Sequence, residues 1–449
     1  MKKIAIMMSL AAMMAMPAVR MSAEPAAKEA RQKIEKPSNI KFYGFIRNYF
    51  AYDTRESSAG TGDLFYYAPK DNNFNAAGED LNAISSFRFL SLTSRFGLDV
   101  TGYQFGRTKF GAKIETDFYS GLTAASSTKI NGTAQLRLRQ AYVTLGWDDM
   151  KMKNGTPIAV AMKIGQAWHP MAADQPHVFS LETGAPFNAF SRTPQVLADA
   201  SFGKNVMLSA AALWQMQYQS QGPDKATSDY IKYSCVPEFY LGLTLKSNSG
   251  FLARIGTNLL SIKPRRYGTI QYEGDDMQVK VSDRITTMSP YVYLQYKSKM
   301  FEVKAKTIFS HGGEHMNLMS GYGISEKCDD GHYEYTPFKT SSTWASMSYG
   351  KKWQATLMGG YIKNLGTVDE LANPSDFYFS ANAPKYMNQM WRVIPAVCYN
   401  AGKFTLGLEY NYTAAQYGDG KTYTAHGLST EGLHTVENHR IQMLVKFTF

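Results

Sequence analysis

Long hydrophobic runs, cysteines and catalytic motifs are all scarce in this sequence. Beyond residue 19, no apolar run approaches the ~18 residues that a membrane-spanning helix needs, which excludes a helical membrane protein. The three cysteines, Cys235, Cys328 and Cys398, are an odd number without metal-ligand spacing, so neither a disulfide framework nor a cysteine-bound metal is expected. Nucleophile elbows, phosphate loops and nucleic-acid-binding motifs are missing as well. We therefore expect no enzymatic activity, no cofactor, no metal and no nucleic-acid partner.

One stretch imitates a zinc motif. His311-Gly-Gly-Glu-His315 matches the H-x-x-E-H pattern of inverted zinc peptidases. That motif requires a helix, which brings both histidines to one face, whereas Gly312 and Gly313 oppose helix formation. We therefore do not expect a catalytic zinc here. A loose surface metal site with Asp329, Asp330 and His332 remains as an alternative.

The amino terminus has the layout of a secretory signal peptide. Lys2 and Lys3 precede a short apolar segment at 4–16, and small residues follow up to Ala23. We expect residues 1–23 to be removed on export. Residues 24–38 are polar and charged and are predicted to form a short periplasmic segment before the main domain, which spans residues 39–449.

The last nine residues alternate between apolar and polar side chains. From residue 441 onward every odd position is apolar, and every even position except Leu444 is polar. A period of two predicts a strand with one apolar and one polar face. An edge strand of a soluble sheet would also alternate, but such edges are usually blunted by charge or proline. A terminal alternating strand that ends in Phe resembles the closing strand of Gram-negative outer-membrane β-barrels, with Phe447 and Phe449 as its closing signal.

The same period of two recurs along the chain from Asn39. We predict sixteen antiparallel strands, each near the ~9 to 11 residues that a tilted membrane strand requires. The predicted strands begin at residue 39 and then occupy 87–101, 107–119, 134–147, 157–168, 193–202, 205–217, 238–246, 251–262, 284–296, 301–310, 342–351, 353–364, 390–400, 403–413 and 436–449.

Short and long connections alternate between these strands. The long connections are at 55–86, 120–133, 169–192, 218–237, 263–283, 311–341, 365–389 and 414–435, and the others are tight turns. A transmembrane β-barrel with short periplasmic turns and long extracellular loops predicts this alternation, whereas a soluble multi-domain protein does not. Two strands fit less well. Arg137 and Arg139 indicate a bulge near Gln140 that resets the register, and Pro395 lies in the middle of a strand.

Cations outnumber anions on the face of the strands opposite to the apolar one. Sixteen strands enclose a lumen wide enough for water, and charges on such a wall enrich the opposite ion. Some of these charges are expected to pair, as Glu115 and Asp117 do beside Lys113. We therefore predict an anion-preferring pore. The predicted wall cations are Arg47, Arg95, Lys113, Arg137, Arg139, Lys163, Arg254, Arg392 and Arg440.

Several short motifs occur along the strands and at their ends. They are Phe42-Tyr-Gly-Phe-Ile-Arg47, Arg137-Leu-Arg-Gln-Ala-Tyr-Val143, Gly165-Gln-Ala-Trp-His-Pro170, Arg192-Thr-Pro-Gln195 and the terminal Phe449. With these motifs the chain resembles the sixteen-stranded trimeric porins, close to the DcaP-like and phosphate-selective porin groups. The resemblance covers nearly the whole mature chain. It implies a homotrimer in the Gram-negative outer membrane, in contact with lipid and lipopolysaccharide and inserted by the barrel-assembly machinery.

The resemblance also implies that the third long loop, 169–192, folds into the lumen and narrows it. This loop carries Asp174 and Glu182 as its acids, Phe187 among its bulky residues, and Arg192 at its end. Set against Arg47, Arg95, Arg137 and Arg139 of the wall, these acids would create a transverse field that selects polar solutes. Ordinary solvated loop charge is the alternative for both acids.

The expected function is a water-filled channel for passive diffusion of small hydrophilic, mainly anionic solutes. A solute-specific channel for phosphate, dicarboxylates or oligosaccharides is the alternative within transport. A structural or adhesin barrel is the alternative outside it.

Overall fold

A computed structural model describes residues 39–60, 65–91, 93–119 and 135–449. The predicted signal peptide, the 24–38 segment and the predicted second long loop lie outside these residues. Within them the chain forms twenty-three strands, one short helix, α1 (Asp229–Ser234), and two 3-10 turns at Pro170–Ala172 and Glu314–Met316. No helix in the described ranges is both long and apolar enough to cross a membrane.

The strands are numbered in chain order. They are β1 (Asn39–Asp53), β2 (Ser57–Gly60), β3 (Phe65–Pro69), β4 (Ser86–Leu90), β5 (Arg95–Phe105), β6 (Thr108–Tyr119), β7 (Gln135–Lys151), β8 (Pro157–Trp168), β9 (Arg192–Phe202), β10 (Val206–Leu213), β11 (Glu238–Lys246), β12 (Phe251–Ile262), β13 (Tyr267–Tyr272), β14 (Asp275–Lys280), β15 (Ile285–Lys297), β16 (Phe301–His311), β17 (Gly321–Lys327), β18 (Tyr333–Gly350), β19 (Trp353–Thr367), β20 (Phe377–Phe379), β21 (Met387–Ala401), β22 (Phe404–Tyr417) and β23 (His434–Thr448).

Sixteen spanning strands close into an antiparallel barrel. Each spanning strand pairs with its neighbours in the chain, and β4 and β5 together form the second of them. The last strand pairs with the first, from Phe45 opposite Thr448 to Asp53 opposite Arg440. Because β1 and β23 are bonded along this length, the sheet has no free edge. The predicted all-β barrel of sixteen strands is confirmed.

The outer face of the barrel is apolar. Every spanning strand exposes at least one large apolar side chain, as a barrel that contacts lipid requires. One from each strand in order is Ile46, Leu98, Ile114, Val143, Ile164, Val196, Leu208, Leu241, Ile255, Val292, Phe309, Met347, Leu357, Val393, Leu408 and Ile441. Several of the exposed side chains near the short turns are aromatic, among them Phe251, Tyr349, Trp353 and Phe404, which is the position of an aromatic girdle.

The remaining strands belong to the long loops. β2 and β3 form a hairpin in the first long loop, and β13 and β14 form a second hairpin after β12. β17 extends β18 beyond the barrel and also pairs with β20.

The short connections of the barrel are tight turns. The two-residue link Gly203-Lys204 is an example, and Gly203 has a φ of 62°, a conformation that glycine adopts at no steric cost.

The predicted bulge in β7 is confirmed. Glu115 of β6 lies opposite Gln140, but the next residue, Thr116, lies opposite Leu138. Arg139 is therefore the extra residue in the ladder. This bulge lets both Arg137 and Arg139 point inward, while Leu138 and Val143 are exposed on the outer face.

The hydrogen-bond ladder is irregular at two further places, near Thr93 and at Pro395. The predicted strand 87–101 is interrupted between β4 and β5, where Thr93 has a φ of 73°, a conformation that is unfavourable for a β-branched residue. Pro395 lies at a gap in the ladder with β22, between the Val393–Tyr412 and Ala396–Glu409 pairs, and the register is the same on both sides. The donor that proline lacks therefore falls where that ladder is already interrupted.

Loops pack inside the barrel, which corrects the expectation of a lumen filled mainly by water. Phe65, Met171 and Phe187 from the loops form one buried cluster with Trp344 and Met358 from the wall. Apolar loop side chains gain by leaving water here as they would in a soluble core. In the described residues, the partly exposed charges of the wall lie mainly on β5–β9, β12 and β16, and some of them border this cluster, as Arg254 does at the Tyr293 ring.

Candidate functional site

The third long loop, residues 169–191, is attached to the inner wall and is called the constriction loop below. The Lys306 ammonium donates to the carbonyl of Met171 and to Asn188 Oδ1 (3.1 Å). Ser342 Oγ donates to the carbonyl of Phe187 at 2.9 Å. These wall side chains are buried. The loop therefore lies inside the barrel, as the resemblance implied, and Arg192, expected within the loop, is the first residue of β9.

The two acids of the constriction loop do not face the arginines that were expected opposite them. Asp174 pairs with Arg254 of β12. Glu182 is fully buried, and its Oε1 lies 3.6 Å from the Arg392 guanidinium. Burial raises the pKa of Glu182, and the neighbouring Arg392 offsets this rise only in part. The loop therefore presents no charge to the arginine-lined side of the lumen, and the expected transverse field is replaced by a one-sided positive charge.

A hairpin from the first long loop also enters the barrel. The β3 residues Phe65 to Pro69 are all buried. The Tyr66 ring lies against the guanidinium groups of both Arg392 and Arg440, at 4.7 and 4.8 Å. The alternation of strands and loops does not predict this insertion, although the aromatic run Phe65-Tyr66-Tyr67 in a polar loop is a signal for it.

Arg392 and Arg440 point inward as predicted but do not contact a water-filled channel. Both are fully buried. Arg392 donates to the Tyr67 carbonyl at 2.7 Å and to the Ala185 carbonyl at 3.1 Å. Arg440 makes two hydrogen bonds of 2.9 Å to the Asp53 carboxylate. We infer that these two cations hold the loops and the barrel seam rather than line the pore.

Four of the other predicted arginines, Arg47, Arg95, Arg137 and Arg139, meet at one pocket. The wall contributes a set of four guanidinium groups, and the constriction loop and β3 close the pocket from the opposite side. Its lining consists of Arg47, Thr93, Arg95, Arg137, Arg139 and Trp168 from the wall and Phe65, Val178, Phe179, Ser180, Leu181, Thr183 and Phe190 from the loops.

Two wall carboxylates partly neutralise these arginines. Asp117 accepts two hydrogen bonds of 2.9 Å from Arg137 and one of 2.6 Å from Arg139. Glu115 accepts from Arg139 at 3.0 Å and lies 3.5 Å from Arg95. Among the described residues of the pocket, four positive groups against two negative groups leave a net charge of +2.

Arg47 is held without a carboxylate partner among the described residues. Its Nε and Nη2 donate to Thr93 Oγ1 at 3.1 and 2.8 Å. The left-handed conformation of Thr93 brings that hydroxyl to the guanidinium. Arg192 adds a further cation behind the pocket, stacked 4.8 Å from the Trp168 ring.

Several polar atoms at this pocket are left without a hydrogen-bond partner. In the part of the chain that the structure describes, these include Arg95 Nε and Thr183 Oγ1. Buried polar atoms are usually satisfied, so the pocket has the capacity to bind water or a polar solute.

Lysines continue the positive wall from this pocket toward the short-turn end of the barrel. Lys113 is partly exposed and lies 3.0 Å from Asp99. Lys163 is also partly exposed and lies 5.0 Å from the Tyr142 ring. Both predicted wall cations therefore line the open part of the lumen.

The H-x-x-E-H stretch does not form a helix. His311 ends β16, and Glu314–Met316 is a single 3-10 turn. Among the described residues, no group of three or more His, Cys, Asp or Glu side chains could hold a metal ion. All three cysteines are free thiols.

Comparison with known proteins gives structural neighbours only. No protein-family model matches the chain, and no curated protein sequence matches it either. The outer membrane channel DcaP of Acinetobacter baumannii is similar in structure, with a TM-score of 0.60, 19% identity, and coverage of 92% of this chain and 97% of that one.

Two further solved structures are similar at lower identity. The outer-membrane protein OmpT of Vibrio cholerae has a TM-score of 0.51 and 11% identity, with 93% of this chain and 100% of that chain covered. An anion-selective porin from Comamonas acidovorans has a TM-score of 0.50 and 12% identity, with 92% and 99% covered. The fold of this chain is therefore that of the outer-membrane porins, with a DcaP-like channel among its structural neighbours, as the sequence motifs implied.

Proposed function

We propose that this protein is an outer-membrane channel for passive diffusion of small hydrophilic solutes, with a preference for anions. The observation that carries the proposal is the pocket inside the barrel, where four arginines face a constriction loop that presents no acid. Because these groups lie in a low-dielectric surrounding, their net positive charge attracts anions more strongly than it would in bulk water.

The contacts of the pocket support transport rather than tight retention. Asp117 and Glu115 already accept hydrogen bonds from two nitrogens of Arg137 and two of Arg139, so an entering anion competes with these carboxylates for the two guanidinium groups. Conduction requires binding that is favourable enough for entry and weak enough for release. The lysines toward the short-turn end continue the same positive path.

The proposed location is the outer membrane of a Gram-negative cell, after removal of the signal peptide. The exposed apolar belt and the aromatic side chains near the turns support this location. The DcaP structure is described as an outer membrane channel, and the Comamonas acidovorans protein as an anion-selective porin.

A homotrimer is the proposed assembly, in contact with lipid and lipopolysaccharide. The segment between β3 and β4 exposes Phe74, Leu81 and Ile84, and the adjoining β4 exposes Phe87 and Phe89. Because Phe74, Leu81 and Ile84 lie outside the spanning strands, their exposure is typical of a contact between protein copies. The mass of the purified protein in detergent tests this assembly, and a monomer would contradict it.

The decisive experiment for the channel is a reversal-potential measurement in planar bilayers. Purified protein is inserted, and a potassium chloride gradient is applied across the membrane. We expect a reversal potential whose sign shows that chloride permeates more easily than potassium. A cation-selective reversal potential would contradict the anion preference, and a protein that inserts without giving any current would favour a structural or adhesin barrel.

A solute-specific channel is the second candidate, because the pocket combines arginines with an apolar loop face. Current carried by phosphate, a dicarboxylate or an acidic oligosaccharide would saturate with concentration for the specific solute and stay linear for the others. Linear current for every anion supports general diffusion.

A further inference from the structure

Two loops inside the barrel converge on a single wall carboxylate. Glu238, the first residue of β11, accepts hydrogen bonds at its Oε1 from His169 Nε2 and His315 Nε2, each at 3.1 Å. His169 begins the constriction loop, and His315 lies in loop 6, defined here as residues 312–332. Asn258 of β12 donates to the same oxygen at 2.7 Å. One carboxylate therefore joins both loops to the wall.

All three side chains of this His169–Glu238–His315 cluster are excluded from water. Their exposed fractions are 1%, 0% and 2%. The backbone N–H of Met171 donates to His169 Nδ1 at 3.1 Å, so the proton of the neutral His169 ring lies on Nε2 and is donated to Glu238. A buried carboxylate that is paired in this way loses much of its stabilisation if a partner is removed.

The cluster is connected directly to the arginine pocket. Trp168, which lines the pocket, immediately precedes His169. Phe190 also lines the pocket, and its N–H donates to the carbonyl of Met316, the residue after His315, at 2.8 Å. The rings of Trp168 and Phe190 are 5.2 Å apart. A displacement of either loop at the cluster therefore moves one of two aromatic residues at the edge of the pocket.

Other titratable groups also face the cluster. Glu314 of loop 6 is buried beside His315, and Tyr322 of β17 lies near Glu314. Burial raises the pKa of Glu314, and His315 opposes this rise. Burial disfavours the charge of His315, but Glu238 together with Glu314 outweighs this effect and raises the pKa of His315 above the ordinary value of 6.5.

We propose that Glu238 is a positioning residue that fastens the constriction loop and loop 6 to the barrel wall through His169 and His315, so that the pocket is held most firmly while His315 is protonated. This inference rests on the proposed channel function only for its current-based readout. It concerns how the pocket is held, and it does not depend on which solute passes.

The direction of the pH effect follows from the histidine. Because its pKa is raised in the folded protein, the stabilisation from protonated His315 is fully present below about 6.5 and is lost as the pH rises through the raised value. Each pH unit by which the midpoint exceeds 6.5 corresponds to roughly a tenfold preference for the protonated, fastened state.

The test compares wild type, Glu238→Gln and His315→Gln in planar bilayers from about pH 5 to about pH 9, which brackets the histidine range. Wild-type open-channel noise is expected to rise with pH, with a midpoint above 6.5, and both variants are expected to lose this step. Glu326→Gln, the same substitution at an exposed position of loop 6, is the matched control and should keep the wild-type profile. Glu182 of the constriction loop also has a raised pKa, but it is present in wild type and in every variant. Its titration therefore contributes to the noise profile of each of these proteins.

Hydrogen–deuterium exchange of the segment 169–191, corrected for the intrinsic pH dependence of exchange, gives a second readout without current. Faster exchange at high pH in wild type, absent in the variants, supports the proposal. Profiles that are the same in wild type, Glu238→Gln and His315→Gln would overturn it. If no protein gives current, the channel function fails while exchange still decides about Glu238. His315→Gln keeps the test available if Glu238→Gln does not fold.

Discussion

At the scale of single residues, an inward position on the wall does not determine whether an arginine lines the pore or anchors a loop. Arg95 is partly exposed at the pocket, with its Nε unpartnered among the described residues. Arg392 has the same inward parity but is covered by two loops and donates to their carbonyls. The strand period predicted that both point inward, but only contacts with distant loops separate a pore-lining arginine from an anchoring one.

We expect Arg95→Ala to weaken anion preference. Loss of one positive charge about 4 Å from a passing anion costs about 1 kcal/mol even in water, which is roughly a fivefold change in the anion-to-cation ratio. Reversal potentials in a salt gradient measure this change. Arg47→Ala should act in the same direction.

Arg107→Ala is the matched control for this prediction. Arg107 lies in the short turn between β5 and β6, is largely exposed and pairs with Asp149. Its removal should leave the reversal potential unchanged. Equal effects of Arg95→Ala and Arg107→Ala would show that overall charge, not the pocket, sets selectivity.

At the scale of elements, the constriction loop depends on a close approach to β19. A Cβ added at Gly360 would lie 2.5 Å from the Phe187 ring, whereas a Cβ at the neighbouring Gly359 would have nothing within 4 Å. Adjacent residues of a strand point to opposite faces, so these two glycines differ only in the side of the wall that they face. The sequence placed the loop in the lumen through resemblance, but the glycine that admits Phe187 is evident only from the folded structure.

Gly360→Val is therefore expected to lower stability, while Gly359→Val is not. Overpacking of a buried contact costs typically about 1–3 kcal/mol, and valine suits a strand at both positions. Thermal unfolding in detergent measures the difference. A shifted conductance in Gly360→Val alone would show that the loop has left the wall. Equal unfolding temperatures for both variants would contradict the contact.

At the scale of the whole molecule, closure of the barrel depends on its final residues. The Phe449 N–H donates to the Gly44 carbonyl at 3.0 Å, and the Phe449 ring stacks on Phe42 at a centroid distance of 5.5 Å. A Cβ at Gly44 would lie 2.7 Å from the Phe449 ring. The first and last strands thus fit each other at the seam where the sheet closes.

Phe449→Ala is expected to reduce the fraction of protein that assembles into the barrel. An aromatic pair contributes about 0.5–1.5 kcal/mol, and we propose that the terminal ring is also read by the barrel-assembly machinery. The fraction that migrates as folded protein on unheated gels measures this effect. Phe251→Ala, at a similarly exposed position next to a short turn, should assemble like wild type. A normal yield for Phe449→Ala would contradict the role of this residue.

The sequence by itself determined the barrel. A period of two over many segments and alternating short and long connections depend on neighbouring residues only, so strand number, facing and even the bulge at Arg139 were predictable. The tertiary structure alone decided which charges meet water. Arg392 is bonded to Tyr67, 325 residues away, and Glu238 to His315, 77 residues away. Contacts between such distant loops leave no local pattern, because they arise only when the closed sheet brings the loops into the same interior.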